Sequence, residues 1–193
     1  MYLYKPEELC HETYVEKNCT VIHHLCCITS CSCNMDYQPM KDLIYMNITK
    51  EYAKFSKCQF AHVGAILVNG RGRIISTGVN GTKPGSSNCC DHEFKQREDH
   101  KSYSDKYETH AEMNVLLELI RNHVSVDTTE HTLYVTLSPC WNCLKHIAAL
   151  TPQLNITRIV YADKYHRLTD LDVQEMKQYC KVQNISLEHL ECF

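Results

Sequence analysis

Thr109-His110-Ala111-Glu112 and, further along, Ser138-Pro139-Cys140-Trp141-Asn142-Cys143 decide how the rest of this chain is read. One imidazole and two thiols make three soft ligands for a tetrahedral zinc. Three protein ligands leave the fourth position to water, which marks a catalytic ion rather than a structural one. Cys140 and Cys143 stand three apart, so on a helix they project from one face and can grip one ion. Pro139 suits a first helical position and Ser138 the cap before it. This predicts both thiols in a helix's first turn, where unpaired amides and the dipole favour thiolate. His110 reads as the opening of a second helix. Glu112, two residues past a ligand, is placed to take a proton from a zinc-activated water of pKa ~7 and deliver it to a substrate. Singly, each part has a plainer reading: Thr109-x-x-Glu112 also fits a capping box, and Cys-x-x-Cys also fits a redox pair or half of a structural zinc site. The combination, with Pro139 ahead of the first thiol, is what points to catalysis.

The 193 residues suit one domain with a real core plus an appendage. A net charge of −3 and a pI near 6.4 give no global pull toward nucleic acid, whose binders carry a basic face. A small anionic substrate needs only two or three local charges. No apolar run approaches the ~18 residues of a membrane span, and Met1-Tyr2-Leu3-Tyr4-Lys5 does not open a secretory signal, so a cytoplasmic protein is expected. Thirteen cysteines, an odd number, argue for metal binding over a closed disulfide framework.

Residues 1–39 hold six of those cysteines (Cys10, Cys19, Cys26, Cys27, Cys31, Cys33) without standard zinc-module spacing. They are read as a Cys-rich N-terminal extension; a metal knuckle, a disordered tail and a segment ahead of the functional start at Met40 all remain open. Residues 40–193 form the domain proper. Leu43, Ile44, Ile48, Tyr52 and Phe55 fall at helical intervals, predicting an amphipathic helix to about Ser56. Val63–Val68, the turn Asn69-Gly70-Arg71-Gly72 and Ile74–Thr77 read as a hairpin. The span 78–109 is long, polar and loop-like. A helix over 110–123 turns Met113, Leu116, Leu117 and Ile120 to the core. After it come a strand over 133–137, a helix over 140–150, a strand over 156–162, a helix over 170–183 and a last strand over 185–190. Helices alternating with strands after an opening hairpin imply an α/β fold, with a mixed sheet covered on both faces.

The chain resembles the cytidine and deoxycytidylate deaminase superfamily, and within it the dCMP deaminases of the bacteriophage type. The likeness runs from about Met40 to Tyr165. It is carried by Val63-Gly64-Ala65-Ile66, Gly78-Val79-Asn80-Gly81, His110-Ala111-Glu112-Met113-Asn114, Tyr134-Val135-Thr136-Leu137-Ser138-Pro139-Cys140 and Ile159-Val160-Tyr161. His-x-Glu followed by Pro-Cys-x-x-Cys is the signature of the zinc nucleobase deaminases, with the glutamate as proton shuttle. The resemblance implies a three-layer α/β/α cytidine deaminase-like fold with a mixed five-stranded sheet, and hydrolysis of dCMP to dUMP and ammonia, supplying thymidylate synthesis. Attack falls on C4 of the ring, with Glu112 protonating the ring nitrogen and then the leaving amine. The resemblance further implies Asn80 on the deoxyribose, Tyr165 at the nucleotide, a homo-oligomer, often a hexamer, dCTP and dTTP as effectors, and the host cytoplasm for a phage-encoded chain. Two departures bear on the phosphate. His62 stands where the family has a basic residue, leaving Lys83, Lys164 or Arg167 for the phosphate, and Gly-Tyr-Asn-Gly reads Gly78-Val79-Asn80-Gly81.

Cys58, Cys89, His100 and Glu108 match the positions at which phage-type enzymes hold a second, structural zinc, with Cys90 the rival of Cys89. Four protein ligands would close that site and staple the 78–109 span to the end of the first helix. Otherwise the cysteines are buried thiols, and Glu108 a partner for the ring of His110. Two other functions stay in view: a deaminase of a nucleoside or nucleic acid, which needs a basic channel and stacking aromatics, and a zinc-binding interaction module without catalysis.

Overall fold

In the computed structural model of the protein, residues 37–122 and 127–190 are described. The expectations for residues 1–36 of the extension fall outside them. The chain runs α1 (Gln38–Ala53), β1 (Gly64–Val68), β2 (Ile74–Val79), β3 (Gly81–Thr82), a 3-10 turn (Cys89–Asp91), α2 (Arg97–Tyr107), β4 (Glu108–Thr109), α3 (Ala111–Arg121), β5 (His131–Leu137), α4 (Trp141–Leu154), β6 (Ile156–Asp163), α5 (Asp170–Val182) and β7 (Ser186–His189).

Five strands form one sheet in the order β2-β1-β5-β6-β7. β1 is antiparallel to both of its neighbours, whereas β5, β6 and β7 run parallel, so the sheet is mixed as expected. The two-residue period of a strand sends alternate side chains to opposite layers. Ala65, Leu67, Leu133, Val135, Ile159, Tyr161 and Leu187 meet α3, α4 and α5 on one face. Ile66, Val68, Tyr134, Val160 and Ala162 lie on the other, with Met46 of α1. Strand β1 is buried at all five positions, as a strand covered on both faces must be. No helix among the described residues is long and apolar enough to cross a membrane.

Two apolar stripes are not where the periodicity put them. In α1 the buried residues are Asp42, Met46, Thr49 and Ala53, while Ile44 and Phe55 are 50% and 71% exposed. Small residues win this face because the helix lies hard against β1: a Cβ on Gly64 would come within 2.5 Å of the Thr49 carbonyl oxygen. Asp42 is admitted because it is paired. Its carboxylate accepts the Tyr134 hydroxyl at 2.5 Å and both terminal nitrogens of Arg158 at 3.3 and 3.0 Å. Arg158 also binds Glu188 through Nε and Nη2. In α3 the buried set is Ala111, Glu112, Val115, Leu116 and Leu119. Leu117 and Ile120 face outward, 40% and 67% exposed, because the smaller Ala111 and Val115 let the helix close on β2.

The span 78–109 is not one long loop. Strand β2 runs on to Val79, β3 pairs with β4, and α2 occupies Arg97–Tyr107. Only His100 of that helix is buried, so it carries no apolar stripe to betray it. Helix α4 likewise passes Leu150 and continues through Pro152 to an αL cap at Asn155. A proline in a last turn forfeits only one ladder bond.

Candidate active site and a second ligand cluster

Two helix starts converge at one end of the sheet. His110 is the N-cap of α3, with Glu112 in its first turn. Cys140 is the N-cap of α4 and Cys143 lies in its first turn. The cap is therefore two residues later than Ser138, and the capping-box reading of Thr109 and Glu112 fails, since the α3 cap makes no side-chain bond. Ser138 has a different task. Its amide donates to the Asp163 carbonyl at 2.7 Å and its hydroxyl accepts from the Tyr165 amide at 2.9 Å, stitching the segment after β6 to the thiol loop.

The His110 Nδ1 atom is 3.5 Å from Cys140 Sγ and 3.3 Å from Cys143 Sγ. His110 is exposed, Cys140 half-buried and Cys143 buried, so the cluster opens to solvent on one side. Glu112 is 3% exposed. Burial pushes its carboxyl up to about 7, and the opposing pulls of its own backbone amide and then of the His110 charge are too small to cancel it. The thiols share one proton. A hydrogen bond from Cys143, then the His110 ring, holds Cys140 down at about 4. Cys143 is pushed upward by the same sharing and by burial. The His110 ring is raised to about 9, first by its bond to Cys140. An imidazole, a thiolate and a second thiol pointed at one spot suit zinc, whose binding releases such protons.

Gly78 lets α3 approach: a Cβ there would sit 2.6 Å from both the Ala111 oxygen and the Val115 nitrogen. Asn114 then fastens the first turn, its Nδ2 donating to Val79 at 2.7 Å and Thr109 at 3.3 Å. Asn114 stands in the quoted motif, but nothing in its type or spacing announces this clamp.

Cys58, Cys89, His100 and Glu108 form a second cluster, with one ligand atom from each lying within 4.8 Å of all the others. Cys58 Sγ is 3.3 Å from His100 Nε2, which lies 3.8 Å from Glu108 Oε2. Three are buried and Glu108 is half-buried as a residue, its side chain only 1% exposed. Cys90 is exposed, and Cys89 is the cysteine that points inward. Both carboxylate oxygens of Glu108 are buried without a hydrogen-bond partner. Burying carboxylate oxygens without a hydrogen-bond partner is costly, and a cation held among these four side chains would offset that cost. Phe60 and Phe94 pack their rings on His100, at centroid distances of 4.2 and 5.3 Å. The β3–β4 ladder, pairing Gly81 with Thr109 and Thr82 with Glu108, ties this cluster to the first.

Asn80 lies beneath that ladder, 8% exposed. Its Oδ1 accepts from Ser56 Oγ at 2.7 Å and the Val63 amide at 2.9 Å, and its Nδ2 donates to Ala61. Those bonds leave one N–H of the amide. Tyr165 is half-buried next to the thiol loop. Of the phosphate candidates, Lys164 is paired with Asp170 at 2.6 Å, while His62, Lys83 and Arg167 are exposed.

Residues 39–162 match the profile of the cytidine and deoxycytidylate deaminase zinc-binding region. The deoxycytidylate deaminase of Enterobacteria phage T4 is 33% identical over 162 residues, covering 66% of this chain and 80% of that protein. The deoxycytidylate deaminase of Homo sapiens is 31% identical over 141 residues, 71% of this chain and 72% of that one. The crystal structure of dCMP deaminase from the cyanophage S-TIM5 in complex with dCMP and dUMP superposes with a TM-score of 0.61 at 27% identity, covering 79% of this chain and 98% of that one. With the profile spanning well over half its length, this chain belongs to the cytidine and deoxycytidylate deaminase family.

Proposed function

We propose that the protein hydrolyses dCMP to dUMP and ammonia, with His110, Cys140 and Cys143 holding a catalytic zinc and Glu112 moving the protons. The observation that carries this reading is a buried carboxylate, poised near neutrality, beside an open cluster of one imidazole and two thiols. When bound there, zinc supplies a Lewis acid that lowers the pKa of water to about 7. Glu112, with its own carboxyl near the same value, takes one proton from the attacking water and gives it to the ring nitrogen beside C4, then takes a second from the hydroxyl added at C4 and gives it to the departing amine. The remaining N–H of Asn80 is available to a sugar hydroxyl, and Tyr165 to the nucleotide.

Cys58, Cys89, His100 and Glu108 are proposed to hold a second, structural zinc. Its support is the closed, four-residue arrangement and the unpartnered Glu108 carboxylate. Residues 40–193 constitute the deaminase domain and 1–39 an appendage to it. Assembly as a homo-hexamer with dCTP and dTTP as effectors is proposed with it, supported by the family likeness alone. The outward Ile44 of α1 and Phe55 just past its end, 50% and 71% exposed, suit a self-association surface. The discriminating experiment is ammonia release from a panel of cytidine, dCMP, dCTP, adenosine and guanine. Turnover confined to dCMP upholds the reading; turnover of another member, with none of dCMP, replaces it.

A further inference from the structure

Ser56 stands just past the end of α1 and is 6% exposed. Its hydroxyl donates to Asn80 Oδ1 at 2.7 Å, with the main-chain oxygen of the same residue 3.0 Å away. The same Oγ accepts the Cys58 amide at 3.3 Å. Three buried groups therefore form one directed relay, from the Cys58 N–H through the Ser56 hydroxyl to the Asn80 side chain. Cys58 belongs to the four-residue cluster. Its segment is bound there by more than its thiol: the Lys57 oxygen accepts the Cys90 amide at 3.2 Å, and the Gln59 amide donates to Cys89 Sγ at 3.3 Å. The Gln59 side chain adds bonds to the Cys89 and His92 carbonyl oxygens, at 2.9 and 2.8 Å. The second cluster thus fixes where Ser56 stands.

At the other end of the relay the Asn80 amide has one possible orientation. The Val63 amide can only donate and the Ala61 carbonyl can only accept, so Oδ1 faces Val63 and Ser56 while Nδ2 faces Ala61. Two donors fill both lone pairs of Oδ1, and what Asn80 has left for a ligand is a single N–H. The strand it precedes pairs Gly81 with Thr109, the residue before His110. Asn114 ties Val79, on its other side, to the start of α3. The amide is thereby held between the second cluster and the first.

We propose that Ser56 is a positioning residue for the substrate. By holding both oxygens of Asn80 it keeps the remaining N–H at a fixed place for a sugar hydroxyl, and through the Cys58 amide it ties that seat to the second cluster. The proposal rests on the reading of the protein as a dCMP deaminase. In dCMP the 2′ carbon carries no hydroxyl and the 5′ oxygen is esterified, so the 3′-hydroxyl is the one the N–H can meet. Without the Ser56 hydroxyl, Oδ1 stays buried with one donor instead of two. The amide plane is then free to tilt, and the bond to the 3′-hydroxyl loosens while every metal-ligand candidate stays in place.

The test compares the dissociation constants of dUMP and of 2′,3′-dideoxyuridine 5′-monophosphate, which lacks only the 3′-hydroxyl, by calorimetry, with zinc content determined on each sample. The wild-type protein should prefer dUMP by about fivefold, the size of one hydrogen bond, and Ser56→Ala should cut that preference to about twofold with its zinc content unchanged. Ser56→Thr, which keeps a hydroxyl, should restore it. In an Asn80→Ala background the preference should be gone, and adding Ser56→Ala should cost dUMP nothing further. If Ser56→Ala does not fold, Ser56→Cys, close in volume and a weak donor, is judged by the same ratio. An unchanged ratio, equal weakening of both nucleotides, or a loss of zinc that accompanies the weakening overturns the positioning role and leaves the deaminase reading in place. A wild-type protein that neither binds dUMP nor deaminates dCMP removes that reading, and the role of Ser56 with it.

Discussion

Gly78→Ala tests how closely catalysis depends on the seating of α3. Gly78 pairs with Ala65 across the β1–β2 ladder and faces the first turns of α3. The added Cβ would lie 2.6 Å from the Ala111 oxygen, 2.6 Å from the Val115 nitrogen and 3.0 Å from the Asn114 carbonyl carbon. All three are backbone atoms, so no rotamer change relieves the contact. Comfortable separations begin near 3.5 Å, and α3 must therefore retreat from β2 by on the order of 1 Å. Overpacking of this kind costs about 1–3 kcal/mol. The stiffer unfolded chain returns roughly 0.4–1 kcal/mol, so a net loss of about 1–2 kcal/mol is expected. Activity should suffer more. Glu112 and His110 ride on α3 while the thiols ride on α4, and a 1 Å misplacement of catalytic groups costs about a hundredfold in rate. Urea unfolding followed by circular dichroism, kcat for dCMP and zinc content are measured together. Gly81→Ala is the stability control, because a Cβ there meets nothing within 4 Å; its midpoint should stay within about 0.5 kcal/mol of wild type. A Gly78→Ala protein with the wild-type urea midpoint and wild-type kcat refutes the argument.

Other outcomes follow from the same geometry. Glu108→Gln should lose one metal equivalent per chain while keeping the other, and should melt at a lower temperature; retention of both metals would show that the carboxylate is no ligand. Arg158→Met leaves Asp42 buried beside Tyr134 without its cation, for a loss of about 2 kcal/mol, below the fully buried range because Arg158 is partly exposed. Equal stability of that variant in urea contradicts the pairing. The Arg158 hydrogen bond, foremost among its causes, holds Glu188 below the usual carboxylate range. A depressed carboxyl contributes stability above its unfolded pKa and loses it as pH falls through the folded one, so the wild-type protein should weaken below about pH 4.5. In Arg158→Met that part of the acid limb should flatten, as monitored by thermal melts across pH 3–6.

Much of the fold was legible because it rests on strong local signals. The apolar runs Val63–Val68 and Leu133–Leu137 and the Asn69–Gly72 turn between the first strand and its return predicted the strands and hairpin found here. The two ligand clusters were also legible as residue types at set positions, and the structure brings all seven residues to two spots. What escaped depends on tertiary contact. Helix α2 is polar throughout and is anchored by His100 and by the Tyr103 hydroxyl donating to Ser87 at 2.9 Å, so hydrophobic periodicity had nothing to register. The inward face of α1 escaped because Thr49 and Ala53 were preferred for size, and Asp42 for its pairing with residues far along the chain. Ser56 is an ordinary serine in the sequence until its hydroxyl is seen between Cys58 and Asn80.

The most direct measurement is turnover of dCMP by Glu112→Gln, with zinc determined on the same sample. The account predicts a folded protein that keeps the zinc at His110, Cys140 and Cys143, while kcat falls by about 10²–10⁴, the usual share of a proton-transfer group. Wild-type turnover with glutamine in place, or loss of that zinc along with the carboxylate, would contradict the assignment of Glu112 as the group that moves protons rather than one that holds metal.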